Sequence, residues 1–411
     1  MPTLDIDFVR NQFPAFSEPS LKDWAFFDNA GGSYTCQQVI KRLTSYYTET
    51  KVQPYHPYPT AQKAGKALDT SYRALAAYLN VGEDEVHLGP STSQNTYVLA
   101  HAFKTLLQEG DEIIVTNQDH EANSGCWRQL AGEGIIVREW KVDPDTGALN
   151  LEQLDSLLTD KTRIVAYPHC SNIVAYWNPV EEINRRIRRV GAVSIVDGVA
   201  AAPHGLPDIG ALGADIYLFS LYKTWGPHLG LMTIKRTLME KLSNQGHYFH
   251  DDLPRKRLLP AGPDHAQIAA AAGILDYLNA IHDHHFETNV TVPEHRSAVN
   301  QLIKTHENGL TQPLLDWLMK RDDIRLLGSG VADDRAPTVS ILPLRKTLPN
   351  VQTILTEHKL MTGVAHFYAP RLLEAMNISP DVGVLRLSFL HYTTGRDMEQ
   401  LIEGLAAALG S

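Results

Sequence analysis

From about Asp111 the chain alternates short, β-branched apolar runs with longer stretches of mixed polarity. Asp111-Glu112-Ile113-Ile114-Val115-Thr116 predicts a buried strand, followed by a helix through Trp127 and Leu130. Ile135-Ile136-Val137 and Arg163-Ile164-Val165-Ala166-Tyr167 predict the next two strands. A helix with an Arg-rich outer face runs from Pro179 to Arg189, and strands follow at Ala192–Val196 and Asp215–Phe219. Apolar runs of this length, separated by helical ones, specify a mainly parallel sheet with helices on both faces. In such sheets ligands collect beyond the carboxyl ends of the strands.

Near Ile281 the pattern changes. A long helix is predicted from Pro293 towards Met319, then strands at Ile324–Leu327, Thr338–Leu342 and Val384–Ser388, and a closing helix from Asp397 to Leu409. This reads as a smaller α+β domain. The expected division is a large domain over residues 21–285 and a small one made of residues 1–20 and 286–411, with Phe8, Phe13 and Phe16 packing on the smaller. No internal repeat or low-complexity linker separates the two.

Bulk properties narrow the function. A chain of 411 residues exceeds one simple core, which agrees with two domains. The net charge of -10 argues against nucleic acid as a main partner, because phosphate backbones need clustered Lys and Arg. No apolar run approaches the length that crosses a bilayer. The acidic segment Pro2-Thr3-Leu4-Asp5-Ile6-Asp7 lacks a secretory apolar region, so a cytoplasmic address is expected. Cys36, Cys126 and Cys170 form no CxxC pair and are too few for a disulfide framework.

Two strand ends carry the chemistry. One apolar run ends in Asp197-Gly198, and the next leads into Ser220-Leu221-Tyr222-Lys223. An Asp and a Lys so placed meet the needs of pyridoxal 5'-phosphate (PLP). The amine forms a Schiff base with the cofactor aldehyde, and the carboxylate keeps the pyridine nitrogen protonated. Gly89-Pro90-Ser91-Thr92-Ser93-Gln94-Asn95 follows the strand Val86-His87-Leu88 and opens a helix to Leu107. Its hydroxyls and free N–H groups suit a phosphate, with simple capping by Ser91 or Thr92 as the plainer alternative. Ser220 and Tyr222 offer further phosphate donors.

His120, just past the strand that ends at Asn117, is placed to stack on a pyridine face and move protons; a surface or capping histidine is the alternative. Asn172, in His169-Cys170-Ser171-Asn172, is a donor for the cofactor's phenolic oxygen. Arg386 lies inside an apolar strand and needs a buried anion, either a substrate α-carboxylate or an internal salt bridge. His282-Asp283-His284-His285 and His247-Tyr248-Phe249-His250 lack the spacing and Cys partners of a zinc motif and read as loop surface.

These segments together resemble the class V aminotransferase superfamily, within it the group of cysteine desulfurase-like enzymes, selenocysteine lyases and isopenicillin N epimerase-type enzymes. The likeness spans nearly the whole chain, from Phe27-Asp28-Asn29-Ala30-Gly31-Gly32 through Asp119-His120-Glu121-Ala122-Asn123 to Arg386-Leu387-Ser388. It implies PLP fold type I, a homodimer with sites at the subunit interface, and covalently bound PLP. By position, Lys223 carries the cofactor, Asp197 meets the pyridine nitrogen and His120 stacks on the ring. Thr92, Ser93, Ser220 and Tyr222 face the phosphate, and Arg386 takes the substrate carboxylate. Asn29, Ala30 and Gly31 fall on the substrate side. The loop containing Gly262, and His56, correspond to elements reaching a neighbouring subunit's site.

Departures from the resemblance bear on the reaction. Desulfurases carry a cysteine shortly before the carboxylate-binding Arg; here residues 361–368 hold none, and His366 stands near that place. A persulfide relay to an iron–sulfur assembly partner is therefore not expected. Ala200 stands where relatives often have a Gln, and Tyr222 where many desulfurases have a His. The expected activity is a PLP-dependent C–S or C–Se lyase on a small L-amino acid. A class V aminotransferase or an amino-acid epimerase is the alternative, and a catalytically silent PLP-fold subunit the non-enzymatic one.

Overall fold

Seven strands form the central sheet of the computed structural model, which describes residues 2–287 and 290–410. Their spatial order is Val86–Gly89, Gly230–Ile234, Ile216–Ser220, Val193–Asp197, Thr162–Pro168, Glu112–Thr116 and Ile136–Trp140. All pair in parallel except Gly230–Ile234, which is antiparallel to both neighbours. Ile216–Ser220 is buried along its whole length, as a strand covered on both faces must be. The helix Val180–Arg189 turns Ile183 and Ile187 inward and pairs Arg186 with Glu182 at 2.6 Å on its outer side.

Strand order positions the site. Glu112–Thr116 and Thr162–Pro168 are neighbours, and the chain leaves them in opposite directions. One branch goes to Ile136–Trp140, the other to Val193–Asp197 and Ile216–Ser220. A crevice opens at such a reversal, outside the carboxyl ends of the strands. A four-stranded antiparallel sheet (Gly363–Ala365, Val384–Ser388, Thr338–Pro343, Ile324–Leu327) makes the core of the C-terminal α+β part, with helices Leu348–Glu357 and Gly395–Leu409. Ser388 N–H donates to Phe27 O at 2.7 Å, which ties this sheet to the early segment.

Several expectations need correction. The N-terminal segment does not pack simply on the smaller sheet. Val9 and Phe13 belong to the core of the large sheet, Phe13 meets Tyr277 edge-on at 5.1 Å, and Phe8 stacks on His284 at 3.8 Å. Those rings offer aromatic partners on the helix Gly273–His285, but Phe13 and Phe16 also meet Tyr392 at 4.8 and 5.3 Å and Arg10 reaches Asp397 at 2.8 Å, so the segment bridges both parts of the chain. His282, His284 and His285 are therefore the last turn of a helix rather than loop, and His282 is buried. The helix expected through Trp127 and Leu130 is broken into Gly125–Arg128 and a 3-10 turn, because Gly134 at φ +82 turns the chain back. Gly230–Ile234, unread in the sequence, is a central strand. Among the described residues, no helix is long and apolar enough to cross a membrane, and no group of three His, Cys, Asp or Glu is arranged to hold a metal.

The unread strand presses on the site. A Cβ at Gly230 would lie 2.3 Å from the Ser91 carbonyl carbon and 2.4 Å from Thr92 N, both backbone. Gly230→Ala is expected to cost about 1–3 kcal/mol by overpacking. In urea unfolding the midpoint should fall at unchanged slope; a variant as stable as the parent would show that the close approach is relaxed.

Candidate active site

At the crevice lies a cavity lined by residues from the strand ends. Each strand end contributes. Ser91 caps the helix Thr92–Phe103 by accepting from Gln94 N–H at 3.1 Å. Thr92 Oγ1 and Ser220 Oγ lie 2.8 Å apart on the cavity wall, and Ser93 and Tyr222 also line it. Capping and an open anion cradle thus coexist at one helix N-terminus.

The loop after Glu112–Thr116 brings in Asp119 and His120. His120 Nδ1 accepts from Ala122 N–H at 3.1 Å, so its remaining proton sits on Nε2. Burial, then the positive charges of Lys223 and Arg386, lower its pKa to about 3. The ring is therefore a neutral imidazole, capping the turn Glu121–Asn123 and walling the cavity. Asp197 is buried and accepts from Val199 N–H at 2.8 Å. Burial pushes its pKa up to about 6, against the pull of that N–H and of Lys223. Asp119 is raised well above the carboxylate range by burial and by Asp197, with Thr116 Oγ1 donating to it at 3.2 Å.

Lys223 follows Ile216–Ser220 in a short 3-10 turn and opens part of its surface to the cavity. The protein around it is dense enough that burial, assisted by Arg386, lowers its pKa to about 8, while Asp197 and Asp28 resist. An ordinary lysine carries its charge to about pH 10.4; this one loses it near neutrality.

Arg386, 3% exposed in the strand Val384–Ser388, meets Asp28 at 3.2 Å. Its Nη1 makes only a long bond to Asn172 O at 3.4 Å, and its buried Nε has no partner among the described residues. The Phe367 ring covers the guanidinium, with the centroid 3.7 Å from Cζ. Phe367 and Tyr368 both hold left-handed backbone, φ +46 and +57. Asn172 Nδ2 donates to Phe367 O at 2.8 Å, which leaves its Oδ1 bare and one N–H for the cavity.

Other sequence candidates have different surroundings. Asn29 lines the cavity, but its amide is committed: Nδ2 donates to Ser388 O at 3.1 Å and Oδ1 accepts from Tyr392. Ala30 N–H donates to Ser388 Oγ at 2.8 Å, and Gly31 lies exposed beside it. His366 is spent locally, accepting from Tyr368 N–H at 3.1 Å, and does not line the cavity. His56, stacked on Tyr58 at 5.9 Å, and Gly262 are both exposed and outside it. Asp28 and Phe367 against Arg386, and His204 in the cavity wall, were not foreseen. Asp28 stood within a quoted motif; nothing in the sequence marked the other two.

The aminotransferase class-V family pattern matches residues 25–282, more than half of the chain. An aminotransferase-like protein of Gibberella zeae, FGM3, is 35% identical over 99% of both chains. A probable cysteine desulfurase of Pseudomonas aeruginosa is 26% identical over 97% of each. The structure of the cysteine desulfurase CsdA from Escherichia coli superposes with a TM-score of 0.83 at 22% identity, covering 99% of both chains, and so shares the fold. With a cavity at the strand ends and a full-length match on both sequence and fold, the chain belongs to the class V aminotransferase family of PLP-dependent enzymes.

Proposed function

We propose that the chain acts on a small L-amino acid through PLP carried by Lys223, as a cysteine desulfurase-like C–S or C–Se lyase that uses no persulfide-forming cysteine. The observation that carries this reading is Lys223 itself, an amine with pKa about 8 in one cavity with the buried acid Asp197. The donor set suits the cofactor. Thr92, Ser93, Ser220 and Tyr222 beside a helix N-terminus match a phosphate. Asp197 matches a protonated ring nitrogen, neutral His120 a ring face, and the free N–H of Asn172 a ring oxygen. When bound, the cofactor supplies an electron sink for negative charge at the substrate's Cα.

The chain's own residues do the rest. Arg386 does not itself line the cavity, but its guanidinium, held by Asp28 and with no Nε partner among the described residues, is the cation that a substrate α-carboxylate would meet. Lys223, neutral at Nζ near pH 8, takes the Cα proton. His120 presents Nε2–H to the cavity. The cysteines do not suit sulfur relay: Cys36, Cys126 and Cys170 are buried, and burial pushes each thiol up to about 12. A transaminase is the second reading, favoured by the aminotransferase-like name of the Gibberella zeae relative; an epimerase differs only in where the proton returns. The reading includes a homodimer, in which exposed His56 and Gly262, with exposed Tyr47, Tyr55 and Tyr58, face a second copy.

Incubation with a panel of L-amino acids tests the reaction. Keto acid formed without an acceptor is expected; keto acid only when a 2-oxo acid is added would move the assignment to a transaminase, and racemisation alone to an epimerase. Lys223→Ala should lose the covalent cofactor link, so that borohydride reduction and peptide mapping find no modified lysine. A different labelled lysine would refute the assignment. Arg386→Leu should lower kcat/KM by about a hundredfold, chiefly through KM, the equivalent of ~3 kcal/mol for one charge-assisted contact. Because only the neutral amine is nucleophilic, PLP uptake by apoprotein should accelerate with pH and level off above about 8. A rate still climbing towards ~10.4, the ordinary lysine value, would place the uptake on an unperturbed amine.

A further inference from the structure

The cavity does not end at the cofactor residues. It also touches Ala200, Pro203, His204, Thr338 and Leu390. His204 closes the 3-10 turn Ala202–His204, a few residues past Asp197. Its Nδ1 lies 3.0 Å from Glu307 Oε2, and the two side chains are only 8% and 2% exposed. Glu307 projects from the helix Val292–Met319, so the pair joins the large sheet to the C-terminal part. The Trp177 ring meets His204 edge-on at 6.3 Å. The next residue, Gly205, sits at φ +129, and Asn300 of the same helix donates to Leu206 O at 2.9 Å. The imidazole is thus held by Glu307 and Trp177, and the backbone after it by Asn300.

Two features are costly unless the pair works. A buried carboxylate and imidazole lose several kcal/mol of hydration per ion. Among the described residues Glu307 Oε1 also has no hydrogen-bond partner, an expense that native structures rarely accept. The arrangement is that of a carboxylate fixing the tautomer of an acid–base histidine. With Nδ1 turned to Glu307, Nε2 is the only ring nitrogen left for the cavity.

We propose that His204 is a second acid–base group of this cavity, positioned by Glu307, and that it exchanges a proton with the substrate's side chain while Lys223 serves Cα. This rests on the reading of Lys223 given above. The substrate class it selects is an amino acid whose side chain bears a polar group that gains a proton during turnover. In the forward step the Nε2–H of protonated His204 passes to that side-chain atom, which retains the electron pair of the bond it leaves. His204 is left neutral, its Nδ1–H still bonded to Glu307, and it recovers a proton from water. No oxidant or reductant enters. Ala200 lines the same cavity with a small side chain. The ionisable groups around the pair include His306 beside Glu307 on the same helix, His391 and Tyr392 beyond, and Asp197 and Lys223 on the cavity wall.

The test uses the holoenzyme with His204→Asn and Glu307→Gln. Cofactor absorbance reports the Lys223 reading separately and is expected to persist in both. With the best amino acid of the panel, His204→Asn should lose about a hundredfold or more in kcat, the usual worth of a general acid. Added imidazole should restore part of it. Because a carboxylate stabilises the imidazolium, Glu307→Gln should move the corresponding inflection of the kcat profile to lower pH. Independently of turnover, nitrogen-15 NMR of the ring, assigned by its loss in His204→Asn, should show one inflection that moves the same way in Glu307→Gln. An unchanged kcat and profile in His204→Asn with cofactor bound would overturn the proposal. So would a His204 ring that stays neutral from about pH 5 to about pH 9. Should His204→Asn fail to fold, an unmoved inflection in Glu307→Gln refutes it alone. Loss of cofactor absorbance from the parent protein would refute the Lys223 reading instead.

Discussion

Placing several ionisable groups in one water-poor cavity is the constraint on which the site depends. Each must pair, or give up charge, because an unpaired buried ion costs several kcal/mol. Lys223 and Asp197 move towards neutrality from opposite sides, to about 8 and about 6. The gap between them shrinks to about two units, ~3 kcal/mol. Protons can then be redistributed near pH 7 at modest cost. Asp119, beside Asp197, is raised well above the carboxylate range, and His120 is kept as a neutral base. Arg386 cannot shed its proton, so it takes Asp28 and an aromatic face instead.

The fold creates this concentration of charge without building it into the core. Strands buried on both faces carry mostly apolar side chains along their length, so most of the polar chemistry is displaced to their ends. The reversal of strand order then gathers those ends around one crevice. Two further layers complete it. Gly230 lets a strand backbone approach Ser91 and Thr92, which seats the helix N-terminus against the cavity. The C-terminal sheet brings Arg386 and Ser388, and Ser388 in turn fixes Asn29 and Ala30 through hydrogen bonds.

Asp197 and Lys223 were readable because a single charged residue at the end of an apolar run is conspicuous, and strand alternation says that such ends share an edge. The same logic located His120, Asn172 and Ser220. Gly230–Ile234 escaped because it begins at a glycine after a Gly-Pro turn and reverses direction, so no crossover helix announces it. Phe8 was assigned to the wrong surface and Phe13 to only one of the two it meets, since an amphipathic segment declares that it is buried but not against what. Asn29 looked like a substrate contact, yet its amide satisfies strand-end carbonyls of Phe26 and Ser388, a commitment that only tertiary pairing reveals. Glu307 is invisible for a similar reason: in a long helix rich in polar residues, one carboxylate facing inward leaves no mark on the pattern.

The paired left-handed residues Phe367 and Tyr368 give the guanidinium cover an unusual energy balance. Two such backbones cost about 1–2 kcal/mol each for residues with a Cβ. Against this stand the ring over Arg386, ~0.5–2 kcal/mol, and the bonds from Asn172 and Glu121 N–H to the two carbonyls, ~0.5–1.5 kcal/mol each. The sums nearly cancel. The cover over Arg386 is therefore held at little net cost, its strained torsions offset by the contacts they make.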